Sequence, residues 1–227
     1  MNPAPLPLAV DTVLLDIDGT LLDSNYHHTV AWLRAFARHG HDVAGWVVHR
    51  HVGMGGDKLV AAVAGDAVEE SDGDAIREAW EKEYHEIIEQ TTLFPGARDL
   101  LDALAERGLD VVLASSSIPE HAEHAARLLD ADEKVDAITT AEDAEETKPD
   151  PELLDVALDK VSGGKALLVG DTVWDIEAAN ALGIPTVAVL SGGFGRQELE
   201  EAGAACVLDD VAELLARLDE VVAPRER

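Results

Sequence analysis

Apolar residues along this chain keep two different rhythms. Residues 12–17 form a short, almost wholly apolar run closed by Asp18-Gly19, the pattern of a buried strand ending in a turn. From residue 24 to about 42 the spacing changes, and Val30, Trp32, Leu33, Phe36 and Ala37 recur at helical intervals up to Gly40. Further helices are expected at about 58–63 and 74–90, with no strand before Phe94-Pro95-Gly96. Beyond that point strand-like and helix-like segments alternate. Helices are expected at 97–107, 120–129, 151–160, 174–182, 196–202 and 211–221, and strands at 109–114, 135–139, 166–169, 185–190 and 205–208. Such alternation implies right-handed crossovers and an α/β fold, a parallel sheet with helices on both faces. The helical stretch between the first strand and the rest is expected to be a small separate unit over one end of the sheet. Residues 224–227 read as a frayed end.

The 227 residues suit one large domain or a core with a smaller insert, and 47% apolar residues are enough for a core built mostly of Val, Leu, Ile and Ala. Charge changes the picture more. Against 46 Asp and Glu stand 17 Lys and Arg, a formal charge of -29. Phosphate backbones and anionic lipid surfaces would be repelled, so neither nucleic acid nor membrane is an expected partner. The acids are interleaved with regular apolar periodicity, which argues against disorder. A halophilic protein is the expectation, since counterions screen a self-repelling carboxylate surface, and only 6 of the 17 cations are Lys. The single cysteine, Cys206, excludes an internal disulfide and a cysteine-based zinc cluster. With no leader-like or membrane-length apolar run, a cytoplasmic protein is expected.

In a parallel open sheet, ligands bind beyond the carboxyl ends of the strands. The first strand ends in Asp16-Ile17-Asp18-Gly19-Thr20, the second in Ser115-Ser116-Ser117, and the "ALLV" strand in Gly170-Asp171-Thr172, with Asp175 four residues after Asp171. Lys148-Pro149-Asp150-Pro151 precedes a helix. Each segment alone has a plain structural reading: a strand-ending turn, a polar loop, a helix entrance, a helix cap. Brought to one rim, four carboxylates cannot all stay ionised without a cation. Mg²⁺ suits an all-oxygen donor set, and a metal, a lysine and a hydroxyl-bearing loop around a free carboxylate make a phosphoryl-transfer site.

"DIDGTLLDS", "LASSS", "TKPDP" and "GDTVWD", in that order, resemble the four motifs of the haloacid dehalogenase superfamily, in the group with a helical cap inserted after the first motif. The resemblance covers nearly the whole chain. It implies a Rossmann-like core of residues 1–22 and 95–227 and a helical cap of residues 23–94. It further implies Asp16 as nucleophile and Asp18 as acid and then base, with Gly19 making the turn and Thr20 bracing Asp18. Ser115, with Ser116 and nearby backbone N–H groups, would hold the phosphoryl group, and Lys148 would neutralise charge on nucleophile and phosphate. Mg²⁺ would be held by Asp16, the Asp18 carbonyl oxygen and Asp171, and by Asp175 directly or through water. Metal-free dehalogenases of the superfamily generally lack the second aspartate, so Asp18 implies a phosphatase acting on a small phosphorylated metabolite, phosphoglycolate-like, or else a sugar phosphomutase. A non-catalytic binding protein is the third reading, against which the complete motif set argues.

Other features add less. The histidine pairs are expected at exposed positions, except His28, which follows the first motif on the helix face of Trp32 and is a candidate specificity residue. "VGMGGDK", residues 52–58, lacks P-loop spacing and is expected to be a flexible loop touching substrate. Arg50 and Lys58 flank it and are candidates for a second anionic group. "SGGFG", residues 191–195, is expected to be a mobile loop on the same rim. Oligomeric state is left open.

Overall fold

The computed structural model describes residues 6–162 and 164–223; the expected frayed end at 224–227 lies outside them. In chain order the elements are β1 (Thr12–Leu15), β2 (Leu22–Asp23), α1 (Asn25–Arg38), α2 (Gly45–His51), α3 (Gly56–Ala64), α4 (Asp66–His85), β3 (Thr92–Leu93), α5 (Ala97–Glu106), β4 (Asp110–Ala114) and α6 (Pro119–Leu129). There follow β5 (Ala137–Thr139), α7 (Glu152–Asp159), β6 (Ala166–Gly170), α8 (Val173–Ala181), β7 (Thr186–Val189), α9 (Arg196–Ala202), β8 (Cys206–Leu208), α10 (Val211–Ala216) and α11 (Leu218–Val221).

Six strands form one parallel sheet in the order β5-β4-β1-β6-β7-β8. Period-two alternation sends side chains to opposite faces. Val13 and Leu15 join Val111, Leu113, Leu167 and Val169 against α5, α6 and α10. Leu14 joins Val112, Ala114 and Leu168 against α7 and α8. Burial on both faces explains why these strands read as continuous apolar runs. The chain leaves β1 for β4 on one side and later returns to β6 on the other, so the order reverses at β1. Leu15 lies level with Leu113 and with Val169. The residues after β1, β4 and β6 therefore emerge side by side, in the crevice where such sheets bind ligands.

Helices α1–α4 form their own apolar cluster, with Trp32, Phe36, Leu59, Ile76, Trp80 and Tyr84 among its buried members. Where the chain enters and leaves this helical insert, β2 and β3 pair antiparallel, Leu22 opposite Leu93 and Asp23 opposite Thr92, and Phe94 N–H donates to the Leu21 carbonyl at 2.9 Å. That ribbon corrects the expectation of no strand before Phe94. Two residues per strand are too few for a period, and the pairing partner is remote in sequence. Helix α2 was also missed: it opens on Gly, carries adjacent valines and buries only Val48, so neither propensity nor amphipathicity marks it. Helix α4 starts eight residues before the expected 74 because its first two turns carry only Ala67 and Val68 as apolar residues, too few to mark a helical stripe. The expected helix 211–221 is broken at Arg217, which has φ −111° and ψ 18°. Among the described residues no helix is long and apolar enough to cross a membrane.

Candidate active site

Extended backbone places residues i and i+2 on the same side. Ile17 therefore points into the core, 1% exposed, while Asp16 and Asp18 share the crevice. The strand cannot continue, because the Ile17 carbonyl accepts N–H bonds from Thr20, Leu21 and Leu22. That tight loop needs Gly19 at φ +82°, and a Cβ there would strike the Asn25 amide and the Asp171 carboxylate.

Asp16 and Asp171 meet across β1 and β6. The Thr20 hydroxyl lies 3.0 Å from Asp16 Oδ2 and 3.0 Å from Asp171 Oδ1. The expectation that Thr20 braces Asp18 is thus corrected: the turn aims its hydroxyl back at the other two carboxylates. Asn25, the first residue of α1, donates to Asp171 Oδ2 at 2.9 Å. Thr172 caps α8, and Asp175, three residues on, returns Oδ2 to the Thr172 N–H at 3.1 Å. Lys148, fully buried, donates to Asp16 Oδ1 at 2.6 Å and to the Ala114 carbonyl at 3.0 Å, and lies 2.8 Å from Asp175 Oδ1.

One buried cation thus faces three buried carboxylates. Burial, with repulsion from Asp175 and Asp18, pushes Asp16 up to about 7 against the pull of Lys148. Asp171 is driven well above the usual range by burial, then by Asp16 and Asp175. Burial opposes charge on Lys148, but Asp16 and Asp175 outweigh it and hold the ammonium above its ordinary range. One carboxylate oxygen from each of Asp16, Asp171 and Asp175 lies within 4.8 Å of the others. Ligands about 2.0–2.1 Å from a hard cation sit roughly 3–4 Å apart in an octahedron. The donor set therefore fits such an ion with small adjustments, and its added charge answers the excess of carboxylates.

Asp18 stands apart from this cluster. Ser24 Oγ donates to its Oδ1 at 2.6 Å, Ser117 Oγ to its Oδ2 at 2.9 Å, and His28 Nε2 lies 3.0 Å from Oδ1. Burial would raise its pKa, yet the His28 ring and these three hydrogen bonds hold the carboxyl well below the usual range. Asp16 and Asp18 are neighbours with opposite tendencies: without a metal the fold favours the protonated form of Asp16 and the ionised form of Asp18.

Sequence reasoning missed Asn25 and gave no separate role to Ser24 or to Ser117, although both lie in the motifs it singled out. Ser24 occupies the N-cap position of α1 but makes no cap, its hydroxyl going to Asp18 instead. Ser115 accepts the Ser117 N–H at 3.1 Å and so shapes its loop, whereas Ser116 Oγ is buried without a partner. A cavity above Asp16 and Asp18 is lined by Ser116 and Ser117 together with His28, Trp32, Met54 and Trp80. Arg50 and Lys58 do not line it: Arg50 pairs with Glu198, and Lys58 with Glu146. Residues 191–195 pack closely rather than hanging free, for Ser191 Oγ donates to the Gly19 carbonyl at 2.6 Å and a Cβ on Gly192 would strike Asp171. The expectation of exposed histidines fails at His121 and His124, both buried. His121 packs edge-on to Tyr84, with 4.6 Å between ring centroids, and burial drives its pKa down to about 3.

Residues 10–183 match the family described as haloacid dehalogenase-like hydrolase. A phosphoglycolate phosphatase of Rhodospirillum rubrum is 30% identical over 215 residues, covering 89% of this chain and 88% of that protein. The crystal structure of a hydrolase from Pseudomonas syringae superposes with a TM-score of 0.88 at 32% identity, covering 93% of this chain and 99% of that one. The fold is shared with a putative beta-phosphoglucomutase from Bacteroides vulgatus, TM-score 0.82 at 23% identity over 94% of this chain and 89% of that one.

Proposed function

The chain belongs to the haloacid dehalogenase-like hydrolases and is an enzyme of that family, and from that premise we propose that it is a Mg²⁺-dependent phosphatase of small phosphorylated metabolites. The observation that carries this reading is the buried cluster of Lys148 with Asp16, Asp171 and Asp175, set beside a separately held Asp18. Kinship makes a phosphoglycolate-like ester the first substrate to assay.

In this reading a carboxylate oxygen of Asp16 attacks phosphorus, and the ester oxygen leaves as an alcohol with a proton from Asp18. Water then attacks the aspartyl-phosphate at phosphorus and gives its proton to the Asp18 carboxylate, which restores Asp16 and releases inorganic phosphate. The hydrogen bonds from Ser24, His28 and Ser117 favour the ionised, base-competent form of Asp18; acting as the acid requires that they loosen. Lys148 offsets charge on Asp16 and on the phosphoryl oxygens, and Ser116 Oγ is a free donor for those oxygens. Asp16, the Asp18 carbonyl oxygen, Asp171 and Asp175 would hold the ion, Asp175 while tethered by Lys148. Bound Mg²⁺ supplies charge neutralisation at the phosphoryl group. Helices α1–α4 serve as a cap that excludes water from the cavity.

Hydrolysis of an aryl phosphate should appear with Mg²⁺ and vanish with chelator. Metal-independent turnover, or none at any salt concentration, would sink the reading. We also read the charge of -29 as a salt requirement of a cytoplasmic halophilic enzyme. Activity and melting temperature in that assay should both climb from dilute buffer to molar salt, and a flat salt profile removes the halophilic part alone.

Mg²⁺ affinity should depend on pH with a defined sign. Asp16 titrates near 7 without metal and Asp171 is also raised, so below that range the ion must displace protons. Calorimetric affinity should fall on acidification by about tenfold per pH unit for each proton displaced. An affinity independent of pH between about 5 and 8 would contradict the assignment.

A further inference from the structure

The apolar part of the cavity lining has a chemistry of its own. Trp32, Val52, Met54, Leu59 and Trp80 line it. The Trp32 and Trp80 rings stack with centroids 4.7 Å apart and 9° between planes. The two side chains are 3% and 6% exposed, and the Trp80 indole Nε1 is buried with no hydrogen-bond partner.

No Lys or Arg lines this cavity among the described residues. All six such residues between 23 and 94 are ion-paired to carboxylates: Arg34 and Arg38 to Glu83, Arg50 to Glu198, Lys58 to Glu146, Arg77 to Glu69 and Asp74, and Lys82 to Glu78. His28, the other ionisable group of the lining besides Asp16 and Asp18, has its Nε2 on Asp18. A substrate carboxylate seated against this wall would lose water, gain no cation and face the negative charge of Asp18. A neutral group would lose far less on leaving water.

We infer that the cavity selects phosphate monoesters whose leaving group is uncharged and can rest on an apolar wall, in preference to carboxylate-bearing esters such as phosphoglycolate itself. The inference rests on the phosphatase reading for its chemistry but is tested by binding. Calorimetric titration of the Asp16→Asn protein with Mg²⁺ compares 2-phosphoglycolate with its neutral carboxamide. The carboxamide should bind at least about tenfold more tightly. Equal or tighter binding of phosphoglycolate overturns the inference. Turnover of phenyl phosphate by the unmutated enzyme is scored separately. Its absence with the affinity order intact counts against the phosphatase reading alone, and binding of neither glycolyl ester overturns the inference.

Discussion

Asp16→Asn should lower kcat by about 10⁴-fold or more while leaving the melting temperature within a few degrees of the unmutated protein. The first half of this expectation follows from the role: no other carboxylate lies where Asp16 can be replaced, since Asp171 is held by Thr20 and Asn25 and Asp175 by Thr172 and Lys148. The second half follows from electrostatics. Burial and neighbouring carboxylates push the Asp16 carboxyl up to about 7, so its ionised form is already disfavoured in the metal-free fold. An amide of the same shape still accepts from Thr20 or Lys148 and relieves repulsion with Asp175 and Asp18. Circular dichroism melts beside steady-state rates check both halves. Substantial residual activity would remove Asp16 from the nucleophile's role, and a collapsed melt would mean the loss reports folding.

Lys148→Met should be worse for the fold than any other single change at the site. The ammonium is fully buried and is the cation that Asp16 and Asp175 share. Methionine keeps most of the stem's bulk but leaves buried carboxylates uncompensated, at a cost of about 3–5 kcal/mol. The sign of the pH dependence follows from the carboxylates, because the raised Lys148 does not titrate in the range of interest. A carboxyl whose folded pKa lies above its unfolded value favours the fold at low pH, and that contribution is lost as pH rises through the folded value. Asp16, at about 7, and Asp171, also raised, can discharge themselves by taking protons in acid. The stability deficit should therefore be small near pH 5 and grow towards about pH 8, with Mg²⁺ recovering part of it. Denaturant melts at the two pH values test this; a deficit that shrinks on raising pH would refute the charge argument.

Much of the site was legible because its carboxylates sit one after another at strand ends, and strand ends are visible as apolar runs that stop. Asp16, Asp18 and Asp171 stand out that way, Asp175 by its spacing after Asp171, and Lys148 by its place before a helix. What escaped detection depends on contacts without a local period. Asn25 reaches Asp171 across 146 positions of sequence and Ser117 reaches Asp18 across 99. The Ser24 hydroxyl looks like a helix cap until the fold offers it Asp18. Gly192 lies in a stretch that reads as a loose loop, and only the packed fold puts Asp171 against it. Arg50 and Lys58 drew notice as rare cations in an acidic chain, and the same acidity supplies the carboxylates that pair with them. Helix α2 and the β2–β3 ribbon were lost for a related reason: each is held by its neighbours rather than by its own pattern.

The claim on which the account turns is that Asp16 carries the phosphoryl group for part of each cycle. Rapid acid quench of the Mg²⁺-loaded enzyme during a single turnover, followed by mass spectrometry of its peptides, tests that claim directly. The account predicts the mass of one phosphoryl group on the peptide containing Asp16, lost again as phosphate is released. A phosphorylated Ser115, Ser116, Ser117 or His28, or alcohol released ahead of phosphate with no modified Asp16, would contradict it.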